Sequence, residues 1–349
     1  MFSPVIVCTA ISLLDPRSFT SNKKKRTYLI VCGIIMVLMV GLRYKGIGSG
    51  DTRFYYDNWE MMAELPLSAL PRQLLTVDME YGYQIFVWIF SHIFPCGQWL
   101  LILSGIFFSV SICLFIYRNC KNPVVALTVF NCLGLFNFMV QGLRQAIAIC
   151  ICLWALEQCK NKKFIKFILL VVLAASFHAS AIVFTIIYIL ANFKLNFKSL
   201  AIFSVSVLIG FLLLPSLFDI VNYFINDDYD MSSAAESGGV IAILIYITII
   251  LFGLLFRDTS DKHYPIYIYS LIVAMLAMVL RNSISVIAER ISYYFAFGQM
   301  VVLSNSINSL QDRRTRSLIN TMAVILCFGV AIYKASYSIL IPYTFFWQV

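Results

Sequence analysis

Charged side chains are scarce in this sequence. Only 12% of its 349 residues are Asp, Glu, Lys or Arg, whereas 61% are hydrophobic. Soluble domains carry about 25% charged residues, so the composition excludes an ordinary soluble enzyme. Since long apolar segments recur along the whole chain, we expect a single transmembrane domain over residues 1–349 and no separate soluble catalytic domain.

The sequence also lacks a metal-binding signature. It has three histidines, and its ten cysteines form no Cys-x-x-Cys pair. Most cysteines, such as Cys32, Cys113 and Cys150, lie inside apolar runs, which favours small buried hydrophobic side chains over disulfides or metal ligands. No stretch alternates polar and apolar residues over about ten positions, so an outer-membrane barrel is not expected. We predict neither a metal nor a cofactor.

The long apolar runs predict an all-α polytopic integral membrane protein. A helix needs about 20 residues to cross the hydrocarbon core, and fewer where the bilayer thins. We interpret residues 82–94 as a short re-entrant or interfacial helix, because a full crossing there would place every later basic loop outside. The other runs, about twelve transmembrane helices by this reading, are residues 2–14, 28–42, 100–117, 124–139, 143–159, 164–177, 179–190, 200–217, 240–256, 266–280, 286–304 and 318–332.

The net charge of +9 does not indicate a nucleic acid partner in a chain of this class. Lys and Arg cluster in short loops, as they do on the cytoplasmic side of membrane proteins. This orientation leaves the loops 43–81 and 219–239 on the outer face. Most basic residues assigned to that face are arginines, which bind phosphate and carboxylate groups through a planar fork of donors.

One stretch at the outer end of an apolar run, residues 41–56, is dense in glycines and polar side chains. Its glycines free the backbone to approach a ligand closely. Arg43 can bind an oxyanion, and Asp51 can take a proton or orient a hydroxyl. The rings of Tyr44 and Tyr55 offer flat faces for a sugar. The stretch predicts one wall of a binding site at the membrane surface.

Three more polar residues fall on the predicted outer face. Arg144 begins an apolar run, where a guanidinium needs an anion or carboxylate; a snorkelling side chain or an internal ion pair is the plainer alternative. His178 lies between two apolar runs and suits either a base or a backbone hydrogen bond. Glu80 precedes Tyr83 in an aromatic step that suits sugar binding, although a solvated loop carboxylate fits equally well.

A last group of polar residues follows Arg281. Arg290, Tyr293 and Tyr294 share one helical face at spacings of three and four. Glu289 fits a simple ion pair with an arginine.

Five landmarks therefore follow one another: residues 43–55, Glu80-Tyr81-Gly82-Tyr83, Gly142-Leu143-Arg144-Gln145-x-Ile147-Ala148, Phe177-His178-x-Ser180-Ala181, and Arg290 with the tyrosines after it. In this order they resemble the landmarks of EpsG-type exopolysaccharide polymerases, a group that includes many bacterial O-antigen polymerases of the Wzy kind. The resemblance covers roughly residues 40–295.

The resemblance implies a multi-pass protein of the bacterial inner membrane with its site on the periplasmic side. Such glycosyltransferases pass a growing glycan from undecaprenyl pyrophosphate to the terminal sugar of a new lipid-linked oligosaccharide repeat unit, in O-antigen or exopolysaccharide biosynthesis. A flippase for lipid-linked oligosaccharides and an O-antigen ligase are the alternatives. The sequence leaves open whether a chain-length regulator binds.

This reaction needs a stabilised pyrophosphate and a deprotonated acceptor hydroxyl. For the pyrophosphate we assign Arg144 and Arg290, with Arg43 and Arg281 assisting. The acceptor base is Asp51, Glu80 or His178, and the sequence does not choose among them. The predicted sugar-stacking rings are Tyr44, Tyr55, Tyr83 and Tyr293.

Overall fold

The helices of this chain largely follow its apolar runs. A computed structural model describes residues 22–47, 50–225, 239–279, 281–335 and 343–348. Within these residues the only β-type pairing is an isolated antiparallel bridge between Arg43 and Phe345. The predicted run 2–14 and residues 226–238 of the predicted outer loop lie outside the described residues.

The described helices are α1 (Asn22–Gly41), α2 (Gly50–Ala63), α3 (Leu70–Thr76), α4 (Tyr81–Ile93), α5 (Gln98–Asn119), α6 (Pro123–Cys132), α7 (Leu135–Gln141), α8 (Leu143–Lys160), α9 (Phe164–Ala175), α10 (Ile186–Leu190), α11 (Phe197–Ile225), α12 (Gly239–Leu255), α13 (Tyr264–Val279), α14 (Arg281–Ala296), α15 (Gly298–Ser309) and α16 (Arg313–Ala335). Two short 3₁₀ helices, Ala179–Thr185 and Phe346–Gln348, complete the set. The all-α prediction is confirmed for the described residues.

Few of the described helices combine the length and the composition of a full membrane crossing. By length and composition α5 and α16 qualify, and α6 with α7 makes a third if that pair, bent by 54°, counts as one span. Several other apolar helices are shorter, among them α9, α12 and α13. The count of about twelve crossings is therefore not confirmed. The predicted short helix at 82–94 is present as α4, and its position in the membrane stays a prediction.

The chain divides into two compact units. The first unit comprises Met1–Ile182 and Arg314–Val349, and the second comprises Val183–Arg313. The prediction of a single transmembrane domain over residues 1–349 is not tested by this division and stays a prediction.

In the first unit, α1 and α5 lie antiparallel and are tied at both ends. The ammonium group of Lys25 donates to the carbonyl oxygen of Tyr117 at 2.8 Å. At the opposite end, the Gln98 amide donates to the carbonyl oxygen of Gly41 at 2.6 Å. The backbones approach closely because a small residue faces the partner: a Cβ atom on Gly105 would lie 3.1 Å from a side-chain atom of α1. Small residues at such contacts are typical of helix pairs in membranes.

The predicted run 124–139 is broken between α6 and α7. Asn122 caps α6, since its side chain accepts hydrogen bonds from two backbone N–H groups of the first turn. At the break, Gly134 adopts a left-handed conformation with φ 104°, which favours glycine. Lys334 then donates to the freed carbonyl oxygen of Leu133 at 2.9 Å. The chain turns here because a distant lysine satisfies the interrupted helix end.

In the second unit, α13 packs against α10, α11, α12, α14 and α15. Tyr264, at its first position, donates its hydroxyl to the carbonyl oxygen of Gly253 at 3.0 Å. The predicted run 286–304 is also not continuous, because α14 ends at Ala296 and α15 begins at Gly298. Here a Cβ atom on Gly298 would lie 2.8 Å from the backbone oxygen of Tyr267, so the close contact with α13 requires a glycine.

Candidate functional site

Three chain segments of the first unit bring their polar ends together. Glu80 immediately precedes α4, Arg144 is the second residue of α8, and His178 lies between α9 and the 3₁₀ helix Ala179–Thr185. The far end of α8 is Lys160, whose ammonium group donates to Asn119 at 2.5 Å. The cluster therefore lies at the opposite end of α8 from its terminal lysine.

The Glu80 carboxylate is the centre of this cluster. One oxygen, Oε2, accepts a hydrogen bond from Nη1 of Arg144 at 2.5 Å. The other, Oε1, lies 3.0 Å from Nδ1 of His178 and accepts from the backbone N–H of Ala179 at 3.0 Å. The side chains of Glu80, Arg144 and His178 are 19%, 22% and 14% exposed. They are shielded from most solvent, and each keeps part of its surface exposed.

Two buried tyrosines support the arginine. Nε of Arg144 donates to the Tyr55 hydroxyl at 2.8 Å, and the guanidinium carbon lies 5.4 Å from the centre of the Tyr55 ring. The ring of Tyr83 is 6.0 Å from the same carbon and packs edge-on against Tyr55. The described residues give Nη2 of Arg144 no hydrogen bond. The guanidinium is thus held through Nε and Nη1, while Nη2 keeps its two N–H donors.

The surroundings of Glu80 stabilise its ionised form. Burial alone raises its pKa, but the hydrogen bonds from His178 and Ala179 and the charge of Arg144 outweigh burial and lower the pKa from 4.5 to about 2. Glu80 is therefore a carboxylate throughout the neutral range. As such it is a weak base and a strong orienting group.

The stability that this carboxylate contributes should depend on acid pH. Because the folded-state pKa lies below its ordinary value, the contribution is complete above about pH 4.5 and is lost as the pH falls towards 2. A difference of that size corresponds to at most about 3 kcal/mol. Thermal midpoints of the wild type and Glu80→Gln should differ at pH 6, and the difference should shrink as the pH falls from 4.5 towards 2. A constant difference over this range would contradict the ion-pair assignment.

The predicted residues Arg43, Tyr44 and Asp51 make no described hydrogen bond to Glu80, Arg144 or His178. Arg43 is completely buried, and its Nη1 donates to the carbonyl oxygen of Ile47 at 3.3 Å. No described residue accepts a hydrogen bond from Nε or Nη2. Asp51 is exposed in the first turn of α2 and interacts electrostatically with Tyr55. Tyr44 is half-buried, and its N–H donates to the carbonyl oxygen of Thr344. Their predicted roles remain predictions.

The remaining predicted residues belong to the second unit. Tyr293 donates its hydroxyl to Glu289 at 3.1 Å within α14, and Arg290 lies between them in sequence. Arg281 is the first residue of that helix. The assignment of Arg281 and Arg290 to pyrophosphate, and of Tyr293 to a sugar, stays a prediction.

Residues 26–345, nearly the whole chain, match the EpsG family. This chain belongs to the EpsG family. No curated protein and no solved structure matches it. The candidate site of this EpsG-family protein is therefore assigned from its own geometry.

The sequence interpretation missed two features of this candidate site. The first is the backbone N–H of Ala179, the residue after His178, which donates a hydrogen bond to Glu80. Tyr81, rather than Tyr83, presents an exposed ring in the aromatic step: Tyr81 is 57% exposed and Tyr83 is 0% exposed. The sugar-stacking roles of Tyr55 and Tyr83 stay predictions, and in this structure both rings support Arg144.

Gly82 allows the first turn of α4 to contact the chain before His178. The N–H of Tyr83 donates to the carbonyl oxygen of Ser176 at 3.2 Å. A Cβ atom on Gly82 would lie 2.2 Å from the Ser176 hydroxyl oxygen and 2.7 Å from its carbonyl oxygen. A real Cβ atom essentially never approaches another atom so closely, so any larger residue forces the two segments apart.

Gly82→Ala should therefore destabilise the protein by about 1–3 kcal/mol, the usual cost of overpacking. It should also separate Glu80 from His178 and reduce activity. The matched control is Gly329→Ala in α16, where an added Cβ meets no atom within 4 Å. Thermal unfolding in detergent and the protein level in membranes measure the effect. Equal stability of the two variants would contradict the close contact.

Proposed function

We propose that this EpsG-family protein is a membrane-embedded polysaccharide polymerase. In this proposal it transfers a glycan from a polyprenyl pyrophosphate, of the undecaprenyl type, to the terminal sugar of a second lipid-linked oligosaccharide. Family membership supports a polymerase of the exopolysaccharide class. The observation that carries the chemical assignment is one carboxylate, Glu80, that holds both a histidine and an arginine.

His178 is the proposed acceptor base. A carboxylate only accepts hydrogen bonds, so the contact with Glu80 places a proton on Nδ1 of the imidazole. The lone pair is then on Nε2, which is the nitrogen that can take a proton from a sugar hydroxyl. Glu80 would stabilise the imidazolium that forms, as the orienting carboxylate does in a catalytic triad.

This reasoning favours His178 over the two carboxylates. Glu80 already accepts three hydrogen bonds, and its low pKa makes it a poor proton acceptor. Asp51 is exposed in the first turn of α2, where no described contact links it to Glu80. Glu80 is therefore assigned as a positioning residue.

Arg144 is the proposed partner of the leaving group. The acceptor oxygen forms a bond to the anomeric carbon, its proton passes to Nε2 of His178, and the bond from that carbon to the pyrophosphate oxygen breaks with its electron pair. The leaving polyprenyl pyrophosphate gains negative charge, which the free N–H groups on Nη2 of Arg144 are placed to stabilise. The proton on His178 is later released to solvent or to the leaving phosphate.

The proposed location is the outer face of a bacterial inner membrane. The cluster lies at the end of α8 that is remote from Lys160, and basic loops are typical of the cytoplasmic side. The lipid carrier would then reach the site from the outer leaflet. The proposal requires that a tag at the Glu80 end of this unit lies in the periplasm. A tag at the Lys160 end should lie in the cytoplasm.

The function can be tested in cells that make the glycan but lack the native protein. Glu80→Gln should yield single repeat units on the lipid anchor in place of a ladder of long chains. The same chemical change at exposed Glu64 is the control and should leave the ladder intact. Long chains at normal protein level in the Glu80 variant would refute the proposal. Loss of single units together with long chains would instead indicate transport or ligation.

A further inference from the structure

The first unit carries exposed aromatic side chains at two levels along α5. Trp99 lies near the beginning of this helix and Tyr117 near its end, and each is 37% exposed. Eighteen positions separate them, which is roughly 27 Å along an α-helix. The hydrocarbon core of a bilayer is about 30 Å thick, and Trp and Tyr are enriched at both of its boundaries. The two rings thus have the spacing of the two membrane interfaces.

The antiparallel neighbour α1 presents an apolar stripe between the same two levels. Ile30, Ile34 and Leu38 follow one another at spacings of four and are about half exposed. At one end of the stripe, Lys25 lies 5.3 Å from the centre of the Tyr117 ring. A lysine beside a tyrosine at a helix end is the arrangement expected where a span leaves the lipid.

Residues 343–348 are bonded to the chain just beyond the other end of the stripe. The N–H of Phe346 donates to the carbonyl oxygen of Leu42 at 3.0 Å, and the N–H of Tyr44 donates to that of Thr344 at 3.0 Å. The Gln98 amide, next to Trp99, donates to the carbonyl oxygen of Arg43 at 3.1 Å. Residues 343–348 are therefore held at the same level as Trp99.

Four of the six residues in this segment are aromatic, and Phe346 and Trp347 are exposed. The rings of Phe345 and Trp347 stack with centres 4.6 Å apart and planes 7° apart. Trp347 is 57% exposed and Phe346 is 44% exposed. A tryptophan combines a large apolar ring with one N–H donor, so it is most stable where hydrocarbon meets the polar headgroups.

We propose that residues 343–348 form an interfacial anchor whose partner is the ester and headgroup zone of the lipid bilayer, on the side of Arg43. The anchor fixes the depth of the α1–α5 pair. A sugar ring is the other partner that an exposed tryptophan fits, but continuity with the lipid-facing stripe of α1 favours lipid. The side-chain oxygen of Gln348, a polar group that a sugar would need, is already used by the N–H of Phe345. This inference is independent of the proposed catalytic function.

Depth-dependent fluorescence quenching in lipid nanodiscs tests the anchor on the full-length protein. Lipids brominated at carbons near the headgroup or near the chain centre are compared, with iodide as the aqueous quencher. The emission lost on changing Trp347→Phe reports Trp347, and Trp99→Phe reports Trp99 in the same way. Trp59, which is 0% exposed, is the internal reference.

Both Trp347 and Trp99 should lose more emission to the shallow bromine than to the deep one, and iodide should quench neither strongly. Trp59 should respond to none of the three. Quenching of Trp347 by iodide alone would place the segment in water and overturn the anchor, as would protection from iodide by added oligosaccharide. Stronger quenching of Trp347 by the deep bromine would also overturn it.

Discussion

Replacing His178 by asparagine should lower the rate of glycan polymerisation by about 10²- to 10⁴-fold, the usual contribution of general acid–base catalysis. The asparagine amide can still donate to Glu80 from nearly the position of Nδ1, so the ion pair between Glu80 and Arg144 should survive. Nothing then occupies the place of Nε2, and the acceptor hydroxyl has no base. Initial rates with purified protein and a lipid-linked oligosaccharide measure the loss.

A glutamine at the same position makes the comparison sharper. Its amide reaches the place of Nε2 but not that of Nδ1, so His178→Gln should lose the contact with Glu80 as well as the base. We expect similar inactivity from both variants but a lower thermal midpoint for the glutamine. An asparagine variant with the wild-type rate would show that His178 is not the base.

Replacing Arg144 by lysine should lower the rate by about 10²- to 10³-fold, the loss seen when one donor to a developing oxyanion is removed. The lysine keeps the charge beside Glu80. However, its single nitrogen cannot reach Glu80, the Tyr55 hydroxyl and a phosphate oxygen together, as the planar guanidinium can. The loss should appear in the maximal rate, because the interaction strengthens as the leaving group gains charge.

Arg53→Lys is the matched control for this change. The Arg53 side chain is 73% exposed, and its closest carboxylate oxygen, on Asp57, is 3.9 Å away. It should behave as the wild type. If Arg144→Lys retains the full rate, a point charge suffices at this position and the assignment of the Nη2 donors to the leaving group is wrong.

Much of the helical architecture could be predicted from apolar length alone. The run 143–159 corresponds to α8, and the run 100–117 corresponds to α5, because uninterrupted apolar sequence leaves the backbone no other way to satisfy its hydrogen bonds in lipid. The two breaks, at Gly134 and Phe297, could not be found this way. Composition is apolar on both sides of each break. The contact that stabilises the first one joins residues 201 positions apart.

The candidate site was predicted as a set of residues on one face, not as a set of contacts. Glu80, Arg144 and His178 were each singled out by polar chemistry beside an apolar run. Their hydrogen bonds span 64 and 98 positions and depend on how the helices pack. The sequence also did not predict which of these side chains are buried. Arg43 is buried where residues 343–348 pair with the chain beside it, and Tyr83 is buried beside Tyr55.

The most direct test of the account is polymerisation by the purified protein in nanodiscs, with a polyprenyl-pyrophosphate-linked oligosaccharide as the only sugar source. The wild type should convert it to a ladder of longer chains and release polyprenyl pyrophosphate in proportion to the bonds formed. His178→Asn, folded to the same thermal midpoint within error, should leave the single unit unreacted. A ladder of equal length from this variant, or none from the wild type, would contradict the claim that the Glu80, Arg144 and His178 cluster carries glycosyl transfer.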